Sequence, residues 1–248
     1  AGLKDKIGFI KKLRAERYDL AIDMKMSLLP FFIGAKDRTG LFTRHKSGIK
    51  HKRLIHLEKL SPFGIAYREQ KNIYIDNESR NKIQKILQDN GIKDTDILIG
   101  VCPGSKSHLK QWKKQGFREV ISSILKNQQY KVILTGDINE EGLSKDISGA
   151  VKKSGLIDLT GKTTLNELFA LTERFNLFLT CDSAGMHIAS DLGVRIVAIF
   201  GPTDPLEYGP RGAKDMVIRK DLECSPCKKA QCKYGTHECM TAISAEEV

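Results

Sequence analysis

No apolar run in the 248-residue sequence reaches the roughly 18–20 residues that span a bilayer, which argues against an integral membrane helix. The first residue is not methionine, and the opening "AGLKDKIGFIKKLRAERYDLAID" lacks the apolar core of a signal peptide. It reads as an amphipathic helix running into a strand, as though mid-domain, so a cytoplasmic protein missing its beginning is expected. Glycines never fall as GxGxxG, which argues against a nicotinamide enzyme, and the GxxxxGK[ST] phosphate loop is also missing. There is no internal repeat and no low-complexity segment.

What is present is globular in kind: 40% hydrophobic and 29% charged residues, in a chain long enough for one large or two modest domains. Lys and Arg number 41 against 30 Asp and Glu, a net charge of +11. That sign suits polyanionic partners: nucleic acid, an anionic lipid surface or a phosphate-bearing substrate.

Beyond Asp94 apolar strands and helical patterns alternate. Strands are predicted at 96–104, 130–137, 156–161, 176–181 and 195–201, and helices at 116–127, 140–155, 164–175 and 186–193. Leu165, Leu168, Phe169 and Thr172 carry the helical spacing of the third helix. Such alternation implies a parallel sheet with helices on both faces, which binds ligands beyond the carboxyl ends of its strands. Those ends read "CPGSKS", "TGD", "LTGKTT", "TCDSAG" and "FGPTDP", all small, polar or glycine-rich. Upstream, "YDLAIDM" (18–24) is one clear strand, "SLLPFFIGA" an apolar helix, and 78–91 a helix expected to connect two halves. The expected domains are therefore 1–93, with that helix, and 94–248.

In "CDSAGMH" the tiny side chains of Ala184 and Gly185 allow a ligand close to the backbone. Ser183 can cap the following helix, whose free N–H groups and dipole favour an anion. Capping by Asp182 and Ser183 with a buried His187 is the competing reading. Ser105, Ser107 and Lys110 ahead of a helix form a phosphate cradle in one reading, with Lys110 merely solvated in the other. Trp112 reads as packing.

The stretches "PGSKSHLKQW", "ILTGDINEE", "DLTGKTTLNELFAL" and "DSAGMHIASDLGVRIVAIFGPTDPLEYGP", in that order, resemble the family 9 glycosyltransferases, the ADP-heptose:lipopolysaccharide heptosyltransferases. "YDLAID" fits that family's N-terminal domain. The resemblance implies an α/β GT-B fold, with two Rossmann-like domains of parallel sheet facing a cleft and the N-terminal one truncated. It implies metal-independent, inverting transfer of a heptose from an ADP-sugar donor to the phosphorylated lipopolysaccharide inner core, at the cytoplasmic face of the inner membrane. Ser105 and Ser107 then contact the diphosphate, Lys110 neutralises it, Glu140 (or Glu141) meets the ribose, and Thr163 lines the base. Asp182, Ser183, Ala184, Gly185 and His187 surround sugar and phosphates, with Ala184 in the family's usual glycine slot and Gly185 in its proline slot. The family's catalytic base follows its first strand. No equivalent is seen here, and Asp23 stands as the substitute candidate.

"RTGLFTRHKSGIKHKRLIHL" (38–57) holds six Arg or Lys and no carboxylate. It reads either as a solvated loop or as a clamp for a phosphorylated acceptor through Arg44, Lys46, Lys50, Lys52 and Arg53. Phe42 is its one aromatic, which argues against nucleic acid. Cys224, Cys227, Cys232 and Cys239, with His237 among them, resemble a structural zinc or an iron–sulfur knuckle only at their opening C-x2-C, and the later spacings fit no standard site. Reduced packing thiols are the other reading, and Cys102 and Cys181 read as buried thiols. A basic, non-enzymatic module with a zinc knuckle is the rival to the enzyme.

Overall fold

The computed structural model describes residues 2–25, 27–40, 48, 51–65 and 73–248. The chain forms two compact units, Ala1–Glu69 and Gln70–Val248.

In the first unit, α1 (Leu3–Ala15) packs on α2 (Leu29–Ile33), and β1 (Leu20–Ala21) pairs in parallel with β2 (Asp37–Arg38). The expected strand 18–24 is thus only two residues long. Beyond Ala21 the chain turns, because the Asp23 carboxylate accepts the backbone N–H groups of Lys25 and Ser27. The Asp23 N–H donates to Thr39 Oγ1. Lys59 is buried and its ammonium donates to the carbonyls of Asp23 and Met24. Part of the expected basic loop is helical, as α3 (Lys52–Glu58).

The second unit begins with α4 (Asn77–Asp89), capped by the Asp76 carboxylate on the Ser79 N–H at 2.7 Å. Its apolar stripe, Ile83 and Leu87, is buried against residues of the later helix α7 (Leu165–Glu173). For that reason α4 belongs to the second unit, and the division falls at 69/70 where the sequence suggested 93/94.

The remaining elements are β3 (Ile97–Cys102), α5 (Lys114–Ile124), β4 (Tyr130–Leu134), α6 (Glu141–Val151), β5 (Leu156–Asp158), α7, β6 (Leu177–Cys181), α8 (Ala184–Leu192), β7 (Ile196–Ile199), α9 (Pro205–Tyr208), β8 (Met216–Ile218) and α10 (Glu238–Thr241). The six strands form one all-parallel sheet in the order β5-β4-β3-β6-β7-β8. Strand order reverses between β3 and β6, the position where open α/β sheets form their ligand crevice. β8 carries no expectation from sequence, since Met216 and Val217 are exposed on a sheet edge.

Period-2 alternation sorts each strand's side chains between two cores. Leu98, Cys102, Ile133, Phe178 and Ala198 meet Ile83, Leu171, Phe175 and Met186 on one face. Ile99, Val101, Val132, Leu134 and Leu179 meet Trp112, Phe117, Ile121, Ile147 and Met240 on the other. The Trp112 ring, 3% exposed, lies edge-on to Phe117 at 5.0 Å, so it packs rather than offering a platform for a ligand. The chain is of the α/β class, with parallel sheets in both units.

Candidate functional site

A cavity of about 750 Å³ opens where β3, β4 and β6 end, at the reversal of strand order. Its size suits a small-molecule ligand, such sites commonly measuring some 300–1,000 Å³. Of the residues singled out from sequence, Ser105, Glu140, Thr163, Ser183, Ala184 and Gly185 line it.

Each wall has a local cause. After β3, Gly104 and Ser105 are buried in the turn, and Ser105 Oγ donates to the Asp182 carbonyl at 2.9 Å, tying this turn to the end of β6. After β4, Glu140 Oε2 accepts the Asp137 N–H at 2.8 Å, which folds the carboxylate back over the turn. A Cβ at Gly104 would collide with that carboxylate, which any larger residue would have to displace. Glu141 instead pairs with Lys145. After β6, Ser183 Oγ accepts the Met186 N–H at 3.4 Å and caps α8, leaving the N–H groups of Ala184 and Gly185 at the cavity.

Asp182 is 5% exposed and is held from two sides. Lys110 Nζ lies 2.7 Å from its Oδ2, and Thr203 Oγ1 donates to the same oxygen at 2.7 Å. Ammonium and carboxylate form a neutral pair next to the N-terminus of α8, whose free N–H groups favour an anion, and neither side chain is among the residues that line the cavity. Ser107 opens the turn that presents Lys110, its carbonyl accepting the Lys110 N–H at 2.9 Å. His187 is exposed on α8 and is not among the lining residues.

Sequence reasoning missed Thr203, although "FGPTDP" was noted as a strand end. It also missed Lys106, Gln111, Thr135 and Asn139, all of which line the cavity. Leu165 and Leu168, expected from their spacing to belong to an apolar helix face, line it too, and Leu165 is 64% exposed. Cys102 lies at the cavity floor, where burial pushes its thiol up to about 11. Burial pushes Cys181 up to about 12, so both are inert.

Elsewhere the fits differ. The Asp23 carboxylate, engaged by the turn N–H groups, is held below the ordinary carboxylate value: hydrogen bonds from Lys25 and Ser27 outweigh the opposing effect of burial. That is the chemistry of a turn acceptor after β1. Lys52 and Arg53 lie on α3, Arg53 in a shallow recess of about 400 Å³ with Met24, His56 and Leu57. Arg44, Lys46 and Lys50 lie outside the described residues.

Cys224, Cys227, Cys232 and Cys239 line a small cavity of about 40 Å³ with His237. All four are free thiols. Among the described residues no group of three or more His, Cys, Asp or Glu is placed to hold a metal ion, so the zinc reading finds no support.

A parallel sheet with a cavity at its reversal point and a Lys–Asp pair beside it places the second unit in the doubly wound α/β class, whose ligands bind at that point. The sequence matches glycosyltransferase family 9 (heptosyltransferase) over residues 7–237, and the chain belongs to this family. It is 28% identical to lipooligosaccharide heptosyltransferase 2 of Campylobacter jejuni over 63% of this chain and 51% of that protein. It is also 28% identical to lipopolysaccharide heptosyltransferase 3 of Escherichia coli over 84% of this chain and 66% of the relative. The aligned regions thus span between half and two thirds of those relatives. The crystal structure of a family 9 glycosyl transferase from Veillonella parvula matches with a TM-score of 0.81 and 26% identity, over 100% of this chain and 77% of that one. Nothing in these likenesses supports a zinc-knuckle binding module.

Proposed function

We propose that this protein transfers a heptose, with inversion, from an ADP-heptose-like donor to the phosphorylated inner core of lipopolysaccharide. The observation that carries the reading is the cavity at the strand-order reversal with Lys110 and Asp182 beside it. Family membership and heptosyltransferase relatives support the sugar and the acceptor class.

Breaking the bond from the sugar carbon to the diphosphate oxygen leaves that electron pair, and a further negative charge, on the terminal phosphate of the departing ADP. Lys110 and the N–H groups at the start of α8 meet that charge with fixed positive ends, and stabilisation of this kind is a large catalytic contribution. Glu140 holds the ribose, Thr163 and Leu165 border the base, and Asp182 with His187 positions the sugar. A carboxylate takes the acceptor proton; the geometry of Asp23 fits it to shaping its turn rather than to that role. The basic residues Lys52 and Arg53, with Arg44, Lys46 and Lys50, serve the acceptor's phosphates. The net charge of +11 suits work at the anionic inner face of the cytoplasmic membrane.

Calorimetric titration with ADP, UDP, GDP and a short oligonucleotide tests the donor assignment, and ADP release from ADP-heptose with a heptose-deficient core acceptor tests the reaction. ADP binding that Lys110→Ala and Asp182→Ala both weaken is expected. Oligonucleotide binding without ADP binding would overturn the reading.

A further inference from the structure

The four-cysteine segment near the C-terminus takes no part in the chemistry above, yet its hydrogen bonds run to the two turns that converge on Asp182. His237, in the left-handed region at φ 56°, hydrogen-bonds through Nε2 to the Leu109 carbonyl, one residue before Lys110. A carbonyl only accepts, so Nε2 carries the proton. Trp112 Nε1, two residues after Lys110, donates to the Ile243 carbonyl at 3.1 Å. On the other side Ser225 Oγ donates to the Gly201 carbonyl at 2.6 Å, and the Lys228 N–H to the Pro202 carbonyl at 2.7 Å. Those carbonyls belong to the two residues before Thr203. The segment is anchored from within: Ser225 and Cys239 are 9% exposed and Met240 fully buried. The Gly235 N–H donates to the Cys232 carbonyl at 3.3 Å, closing the turn that leads to His237.

We propose that this segment is a positioning element of the donor site. His237 holds the Lys110 turn and Ser225 holds the Thr203 turn, so that ammonium and hydroxyl meet one oxygen of Asp182 and Lys110 faces the donor's diphosphate. The ligand it tunes is the polyphosphate, not the nucleoside, because neither turn it braces carries the Glu140, Thr163 or Leu165 wall. The inference rests on the donor reading above.

The test compares ADP with adenosine on the full chain, by calorimetry and by NMR titration. His237→Ala is expected to raise the ADP Kd five- to tenfold and to leave adenosine binding unchanged. His237→Gln, which keeps a donor, should recover part of the loss. In the double variant with Lys110→Ala, the His237 effect should vanish, since both act through one group. Ser225→Ala supplies a second arm should His237→Ala not fold, with the same selective loss expected. Wild-type ADP affinity in folded His237→Ala or in Ser225→Ala, or equal loss of ADP and adenosine, would overturn the proposal. Unchanged ADP affinity in Lys110→Ala would instead overturn the donor reading, and the proposal with it.

Discussion

Lys110 and Asp182, brought from separate turns, meet at 2.7 Å, and Thr203 shares the same carboxylate oxygen. The Asp182 side chain is 6% exposed and that of Lys110 is 30% exposed, so the pair is buried on one side and open on the other. An ammonium so placed is fixed by the carboxylate and still free to meet an anion. Lys110→Ala is expected to cost about 1.5–3 kcal/mol of ADP binding, the range for hydrogen bonds to charged groups. Isothermal calorimetry measures it; equal affinity removes Lys110 from the site. Thr203→Val should lower stability by about 1.5 kcal/mol in chemical denaturation, with Thr203→Ser close to wild type.

Gly104 tests the ribose wall. A methyl at this position meets the Glu140 carboxylate and must displace it. Gly104→Ala is therefore expected to weaken ADP at least tenfold while the circular dichroism spectrum is retained. Glu140→Ala should weaken it as well, and the double variant should bind no worse than Glu140→Ala alone.

Glu167 makes stability depend on acid. Its carboxylate caps the start of α7 through the Thr164 N–H at 2.9 Å and pairs with Lys82 of α4 at 2.6 Å. The hydrogen bond from Lys82, foremost, holds its pKa below the ordinary 4.5. A carboxylate depressed in the folded state contributes fully above its unfolded value and loses that contribution as pH falls through the folded one. Glu167→Gln should thus be less stable than wild type at pH 7, by about 1 kcal/mol on the scale of a lost cap. The gap should begin to narrow as pH falls below about 4. Urea midpoints at pH 7 and pH 3.5 measure both, and a gap undiminished at pH 3.5 would contradict the assignment.

Lys52 and Arg53 on α3 test the acceptor side. Reversing both to Glu should raise the KM for a phosphorylated acceptor, more strongly at 20 mM than at 300 mM salt, because screening shortens the reach of exposed charges. ADP affinity should not change. Loss of both would indicate a folding defect instead.

The alternation of apolar strands with helical spacings was enough, by itself, to specify the parallel sheet of the second unit. A strand buried on both faces and a helix buried on one leave different periodicities in the chain. The polar ends "CPGSKS", "TGD" and "TCDSAG" likewise marked the edge where the cavity lies, since apolar strands ending in glycine and hydroxyl residues leave backbone open to a ligand. Local pattern could not supply what depends on strand order. β8 is a short exposed edge strand without a periodic signature, and α4 joined the second unit because Ile83 and Leu87 found their partners on α7. Asp23 had the residue type of a base, but the turn after β1 directs backbone N–H groups onto it. Lys110, Asp182, Thr203 and His237 are far apart in sequence. Only the reversal between β3 and β6, and the return of the C-terminal segment to the Leu109 and Gly201 carbonyls, brings them together, because hydrogen bonds and ion pairs act over a few ångströms and take no account of separation along the chain.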